Sequence, residues 1–325
     1  ITRRAEMLTK VATLAALIQL AKRKGIRLVW TIHNLASHER LYPSVEQWLR
    51  EWVVDQIDGA IALSATSAEA ARKRFPRLQH LPLVVIPHGH YIDVYPNRIG
   101  RAEARARLGL EPEHRVMLFV GQVRRYKNVT HLIECFRHLA DPNLRLVVAG
   151  LPNDPELAAE VRAAAALDPR VQTHLTLIPD ERIQVFLNAA DLVVLPYTEI
   201  LNSGSALLAL SFRRPILVPE RGSMAELRQR FGLPWVMTYE QPLSAETLQC
   251  ALRTLETTPA DGNALERRLR QEVGWDKIAA ETLAFYRSLL DRDPIAVPGA
   301  WQPVPAPVAQ DGISQPRAAE TASRR

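Results

Sequence analysis

Two short loops carry the residue types that hold phosphate. The first is Leu201-Asn202-Ser203-Gly204-Ser205, placed between the apolar run Leu192–Leu195, closed by Pro196, and a helical pattern from Ala206 to Phe212. The first backbone N–H groups of a helix have no partner within it, and the macrodipole makes that end positive, so anions bind there. Ser203, Gly204 and Ser205 let an anion approach closely and add hydroxyl donors. The second loop follows Val116–Val120, which reads as a buried strand: Gly121 makes the turn, Arg124, Arg125 and Lys127 follow, and Asn128 or Thr130 can cap a helix running to about Leu139. In open parallel sheets ligands bind between a strand's carboxyl end and the next helix. Three nearby cations are by themselves also what a solvated loop looks like. Two such loops in one α/β unit point to neutralisation of a diphosphate.

The elements that must position these loops alternate throughout. Strand-like runs occur at 28–32, 60–63, 84–87, 116–120, 145–149, 191–196 and 215–218, separated by helical patterns. This predicts an α/β protein of two Rossmann-like domains with parallel sheets. A polar, Pro- and Gly-containing stretch at 93–113 precedes a fresh strand and predicts the boundary. The expected organisation is an incomplete first domain at 1–112, a second domain at 113–274, a helix at 275–292 and a disordered tail at 293–325. The first domain supplies only one helix before its first strand. It looks about three βα units short, or roughly 80 residues, as if the chain were N-terminally incomplete. The tail turns to Pro, Ala, Gln and Ser with no apolar period, and Asp291-Arg292-Asp293 at its start is assigned no role.

Composition narrows the class. Length 325 with 47% hydrophobic residues suits two cores. The two cysteines, Cys135 and Cys250, are read as small core fillers in a reducing compartment, with no disulfide or zinc framework. No apolar run reaches the ~18 residues of a membrane span. Val11–Ala21 is read as part of an amphipathic helix rather than a signal peptide, because Lys22-Arg23-Lys24 follows it with no small-residue cleavage site. Residues 1–100 hold 14 Lys/Arg against 8 Asp/Glu, a net +6. Such a surface can meet anionic headgroups or a phosphorylated acceptor, or simply be solvated helix faces. Nucleic acid is not expected as a partner, since the basic clusters lack interleaved aromatics and no binding motif occurs.

With both loops placed, the chain resembles the GT-B glycosyltransferases of the large group 1, or family 4, class, and most of all the bacterial exopolysaccharide-type transferases that include mannosyltransferases. The resemblance covers about residues 28–290. It rests on the order of Thr31-Ile32-His33-Asn34, Ile86-Pro87-His88-Gly89-His90, Phe119-Val120-Gly121 with Lys127, Val148-Ala149-Gly150, Ile178-Pro179-Asp180-Glu181, Ala190-Asp191 to Pro196, Arg214-Pro215, Gly222-Ser223-Met224-Ala225-Glu226 and the Trp275 helix. The resemblance implies a nucleotide-sugar donor in the interdomain cleft, a C-terminal helix returning to the first domain, and an acceptor that is lipid-linked or a polysaccharide. It matches Lys127 to the lysine on the diphosphate and His33 to the histidine on the donor sugar. The loop after Gly150 and the segment from Ile178 correspond to the nucleobase side. The family's arginine position holds Gln122, with Arg124 as the substitute and Arg125 behind it. The family's paired glutamates fall on Ile200 and Leu208; Glu199 is one residue away. Their loss leaves the sugar and the stereochemistry open, a β-mannosyl product included.

Glycosyl transfer needs a stabilised leaving diphosphate, a positioned oxocarbenium-like sugar and an activated hydroxyl. Ser203–Ser205 with Lys127 and Arg124 can supply the first without a metal or other cofactor. Glu199, Asn202 and His33 can serve the second, and His38 and Glu39 are the candidate bases for an inverting reaction. Glu226 can bond the donor's ribose, or serve only its own helix dipole. His88-Gly89-His90 offers two ligands, too few for a closed metal site, and reads as a loop near the acceptor. The function expected is transfer from GDP-mannose or a UDP-sugar by a cytoplasmic enzyme at the inner membrane face. A non-catalytic donor- or partner-binding module, or a nucleotide-sugar epimerase, are the competing readings.

Overall fold

The computed structural model describes residues 2–35, 43–240 and 242–291. Among the described residues, nine parallel strands form two sheets. The first sheet contains β1 (Val29–Ile32), β2 (Gly59–Ala62) and β3 (Leu83–Val85) in the order β1-β2-β3, with Thr31 opposite Ile61 and Ile61 opposite Val84. The second contains β4 (Arg115–Val120), β5 (Leu144–Ala149), β6 (Val171–His174), β7 (Leu192–Val194), β8 (Ile216–Pro219) and β9 (Val236–Tyr239). Its order is β6-β5-β4-β7-β8-β9. The chain therefore winds outward one way from β4 and the other way from β7, and the loops after these two strands face a shared crevice.

Helices α1 (Thr2–Arg23), α2 (Pro43–Gln56) and α3 (Ala65–Arg74) accompany the first sheet. Those with the second are α4 (Arg101–Arg107), α5 (Val129–Arg137), α6 (Pro155–Ala166), α7 (Asp180–Ala189), α8 (Gly204–Ser211), α9 (Met224–Phe231), α10 (Ala245–Thr257) and α11 (Gly262–Glu272). Many of them start where a short polar side chain accepts from the first-turn N–H groups: Ser64 for α3, Asp154 for α6, Ser203 for α8, Ser244 for α10 and Asp261 for α11. Helix α12 (Trp275–Leu290) crosses back to the first sheet, where Phe285 is buried with Ile61, Val84 and Ile86. Gly59 lets the helix approach closely there: a Cβ would lie 2.9 Å from the Phe285 ring tip, which would have to shift.

Strands β4, β5 and β7 are buried on both faces, as helix-covered parallel strands must be. Asp191 ties this centre together: its carboxylate accepts from the Val116 N–H (2.7 Å) and from the buried Arg105 guanidinium (2.8 Å), and also pairs with Arg101.

Three expectations are corrected. Strands β6 and β9 were not anticipated, because both are sheet edges: Val171–His174 has one strong apolar residue, and Val236–Tyr239 is apolar only at Val236 and Met237 before the half-buried Thr238 and Tyr239. Asn128 adopts the left-handed conformation (φ 56°) and makes no side-chain cap. Helix α1 half-buries Met7, Val11, Ala15 and Ile18, yet leaves Leu8, Leu14, Leu17 and Leu20 exposed. Cys135 is buried and Cys250 half-buried, both as free thiols. Of the described helices, none is long and apolar enough to cross a membrane. The expected tail at 293–325 lies outside the described residues.

Candidate active site

The crevice is built from two glycines in contact. Gly121 (φ 127°) ends β4 and Gly150 (φ 149°) ends β5, and a Cβ on Gly150 would sit 1.9 Å from the Gly121 carbonyl oxygen. No other residue tolerates both the backbone angle and the approach. The same Gly121 faces the site: a Cβ there would be 3.3 Å from Ser205 Oγ and 3.4 Å from Lys127 Nζ. The hydroxyl at the start of α8 and the ammonium from the turn Arg125–Lys127 thus converge on one bare stretch of backbone.

Lys127 is buried, with its Nζ 5.4 Å from the Tyr197 ring centre and 6.0 Å from that of Phe119. Among the described residues no carboxylate is within ion-pair distance of it. Burial first, and the Arg124 guanidinium second, push its ammonium down to about 8. A cation held this way gains from any anion brought to it. Arg124 is half-buried, and its guanidinium donates to Gln122 Oε1 at 3.0 and 3.3 Å, so Gln122 orients it. Arg125 does not join the site: it pairs with Glu156 (3.1 Å) and Glu160 (3.0 Å) on α6, whose carboxylates outcompete the crevice for an exposed guanidinium.

Ser203 Oγ accepts from the Ala206 N–H at 3.1 Å, which leaves its proton free to donate, while the N–H groups of Gly204 and Ser205 point out of the helix start. Three aromatic groups border this end: Tyr197 and Tyr91, to which the sequence assigns no role, and His88, expected only as part of a loop near the acceptor. The Tyr197 hydroxyl is buried beside Ser203 and Ser205 without a partner in good geometry, and burial raises it to about 12. From the loop after β3, Tyr91 Oη and His88 Nε2 lie 3.0 and 3.9 Å from a Cβ on Gly204. His88 Nδ1 donates to the Gly89 carbonyl (2.8 Å), leaving Nε2 with its lone pair toward Tyr91 Oη, 3.3 Å away. The signal for His88 was its place just past a strand's carboxyl end.

The loop after β7 also reaches the first domain. Asn202 Nδ2 donates to the His33 carbonyl (3.2 Å), and Asn202 Oδ1 accepts from Ser67 Oγ (3.0 Å). His33 itself is exposed at the end of β1, and Glu199 is exposed in the β7–α8 loop. His38 and Glu39 lie outside the described residues. Ile178 is half-buried against the second core, on the far side of Gly150 from Lys127's strand. Ile200 and Leu208 also pack against that core. Glu226 is not left facing a ribose: its carboxylate accepts from Thr66 Oγ1 (2.5 Å), Thr66 N–H (2.7 Å) and Ala65 N–H (3.2 Å). Ser64, His88, Asn202, Ser203, Glu226 and Arg230 line a cavity of about 50 Å³ at this junction.

Comparison with known proteins agrees with the architecture. Residues 100–229 match the model of the glycosyl transferases group 1, and residues 9–107 that of glycosyltransferase family 4. A GDP-mannose:glycolipid 4-beta-D-mannosyltransferase of Xanthomonas campestris pv. campestris is 31% identical over 88% of this chain and 75% of its own length. An alpha-maltose-1-phosphate synthase of Mycolicibacterium smegmatis is 26% identical over 82% and 74%. Among solved structures, Anabaena HepE in complex with UDP-glucose superposes with TM-score 0.69 at 18% identity, over 86% of this chain and 77% of that one. Sucrose-phosphate synthase from Thermosynechococcus elongatus gives 0.68 at 21%, over 85% and 71%. Two parallel sheets, a crossing C-terminal helix, an anion-ready crevice and this relatedness place the chain in the group 1 glycosyltransferases, as a transferase enzyme of GT-B architecture.

Proposed function

We propose that this enzyme transfers mannose from GDP-mannose to a glycolipid acceptor, with inversion at the anomeric carbon. The observation that carries the reading is the buried Lys127 ammonium, without a carboxylate partner among the described residues and converging with Ser205 and the start of α8 on Gly121. That arrangement suits a leaving diphosphate. The choice of donor and acceptor leans on the Xanthomonas relative, named as a GDP-mannose:glycolipid 4-beta-D-mannosyltransferase. Mannose is α-linked in the donor, so a β product requires inversion.

In this reaction the acceptor oxygen bonds to C1 of mannose as the bond from C1 to the phosphate oxygen breaks. The electron pair leaves with GDP, whose charge Lys127, Arg124, Ser203, Ser205 and the open N–H groups of α8 stabilise without a metal. The hydroxyl proton goes to a base on the first-domain side, where His33 stands and where His38 and Glu39 follow in sequence. Apolar Ile200 and Leu208 in place of two glutamates fit a site that does not run the family's retaining chemistry. The basic first domain suits an acceptor presented at an anionic membrane surface, on its cytoplasmic side.

The test is incubation with GDP-mannose or UDP-sugars and a glycolipid acceptor, followed by the anomeric coupling constant of the product. A β-mannosyl product is expected. Turnover of a UDP-sugar alone would replace the donor, and an α product would remove inversion.

A further inference from the structure

Glu226 and Asn202 stand on the second domain, yet their side chains are satisfied by the first. The Glu226 carboxylate takes three hydrogen bonds from the beginning of α3, two of them backbone N–H groups that no helical partner can satisfy. Asn202 spans from the His33 carbonyl at the end of β1 to Ser67 in the first turn of α3. The helix these groups grip is a fixed object: Ser64 caps it internally through the Ser67 N–H at 3.0 Å, and Ala68 and Ala71 are buried. The second-domain side is fixed as well. Gly222 (φ 55°) lies so close to the β7–α8 loop that a Cβ would be 2.5 Å from the Ile200 carbonyl, and Ser223 N–H donates to the Leu201 carbonyl at 2.9 Å. The loop bearing Asn202 and the helix bearing Glu226 therefore move as one unit. Leu201, next to Asn202 in that loop, packs against the first-domain core.

We propose that Glu226, with Asn202, is a cross-cleft positioning residue: it locks α3 and the His33 loop onto the phosphate-binding loop, so that His33 is presented to the donor held at Lys127. Its carboxylate serves the first domain rather than the nucleotide. The anionic side chain at the positive end of α3 makes the contact strong and directional. The donor-facing part of this inference rests on the function proposed above; the contact itself does not.

The experiment compares Glu226→Gln, Thr66→Val and the double variant. Thr66 lies on the first domain and touches Glu226, so removing its hydroxyl breaks the same contact from the other side. Both single variants are expected to lower kcat for mannosyl transfer about tenfold or more, and to keep the Kd for GDP within about threefold. The double variant is expected to be no slower than the slower single one, because both changes remove one shared contact. Loss of GDP affinity in Glu226→Gln with a silent Thr66→Val would make Glu226 a nucleotide ligand and overturn the proposal. Losses that multiply in the double variant would do the same. Should the wild-type chain transfer nothing, small-angle scattering still decides: a larger radius of gyration in both single variants supports the lock, and an unchanged one refutes it.

Discussion

The depressed Lys127 ammonium makes nucleotide affinity depend on pH in a way that can be worked out in advance. An ordinary lysine titrates at 10.5, whereas burial and Arg124 bring this one down to about 8. Bound diphosphate restores the charged form, so binding draws a proton whenever the free site is neutral. Below about pH 7 the site is already charged and the affinity for GDP is flat with respect to this group. At about pH 9 roughly one site in eleven is charged, so Kd rises about elevenfold, or about 1.4 kcal/mol. Isothermal titration of GDP between these limits measures the slope. In Lys127→Arg the guanidinium stays charged and the slope disappears; in Lys127→Met it disappears with most of the affinity. Subtracting the arginine variant's curve removes any titration of the nucleotide itself. A wild-type Kd that rises no more steeply to about pH 9 than that of Lys127→Arg would refute the assignment of Lys127 as the diphosphate's cation.

The same lysine weakens the fold. Its cost is full below the folded value of about 8 and vanishes above 10.5, so stability rises with pH through that window. Lys127→Met should accordingly raise the melting temperature at neutral pH, by an energy on the order of 3 kcal/mol, while losing function; a lower melting temperature would contradict this. Gly150→Ala should abolish a cooperative melt or cost more than about 3 kcal/mol, because its Cβ meets the Gly121 carbonyl at 1.9 Å. Gly109→Ala, also at positive φ but with nothing within 4 Å, should cost only about 1 kcal/mol. Asp191→Asn removes the carboxylate's charge from the buried Arg105 guanidinium, which keeps its bonds to the Ala189 and Pro112 carbonyls, and is expected to cost about 1.5–3 kcal/mol by denaturant unfolding. A chelator should leave glycosyl transfer unchanged, and a rate restored only by added Mg²⁺ would show that the cationic side chains do not suffice.

Periodicity and punctuation made much of this protein legible from its residues. Runs such as Val116–Val120, bounded by turn residues, read as helix-covered parallel strands, and a Ser/Gly loop before an apolar helix reads as a candidate anion site by local backbone chemistry. Local rules also located Gly121, Lys127 and Ser205 in sequence. What they could not decide was partnership. Arg124, Arg125 and Lys127 are equivalent cations along the chain, and only packing buries one, steers the second through Gln122 and hands the third to α6. Glu226 reads as a free first-turn acid until the first domain places α3 against it. His88 and Tyr91 are one strand's trailing loop until they are folded onto Gly204, more than a hundred residues away. Secondary structure follows from interactions within a few residues, so the chain determines it by itself. Which charge is desolvated, and which group meets which across a cleft, depends on contacts between distant segments, and only the tertiary structure sets those.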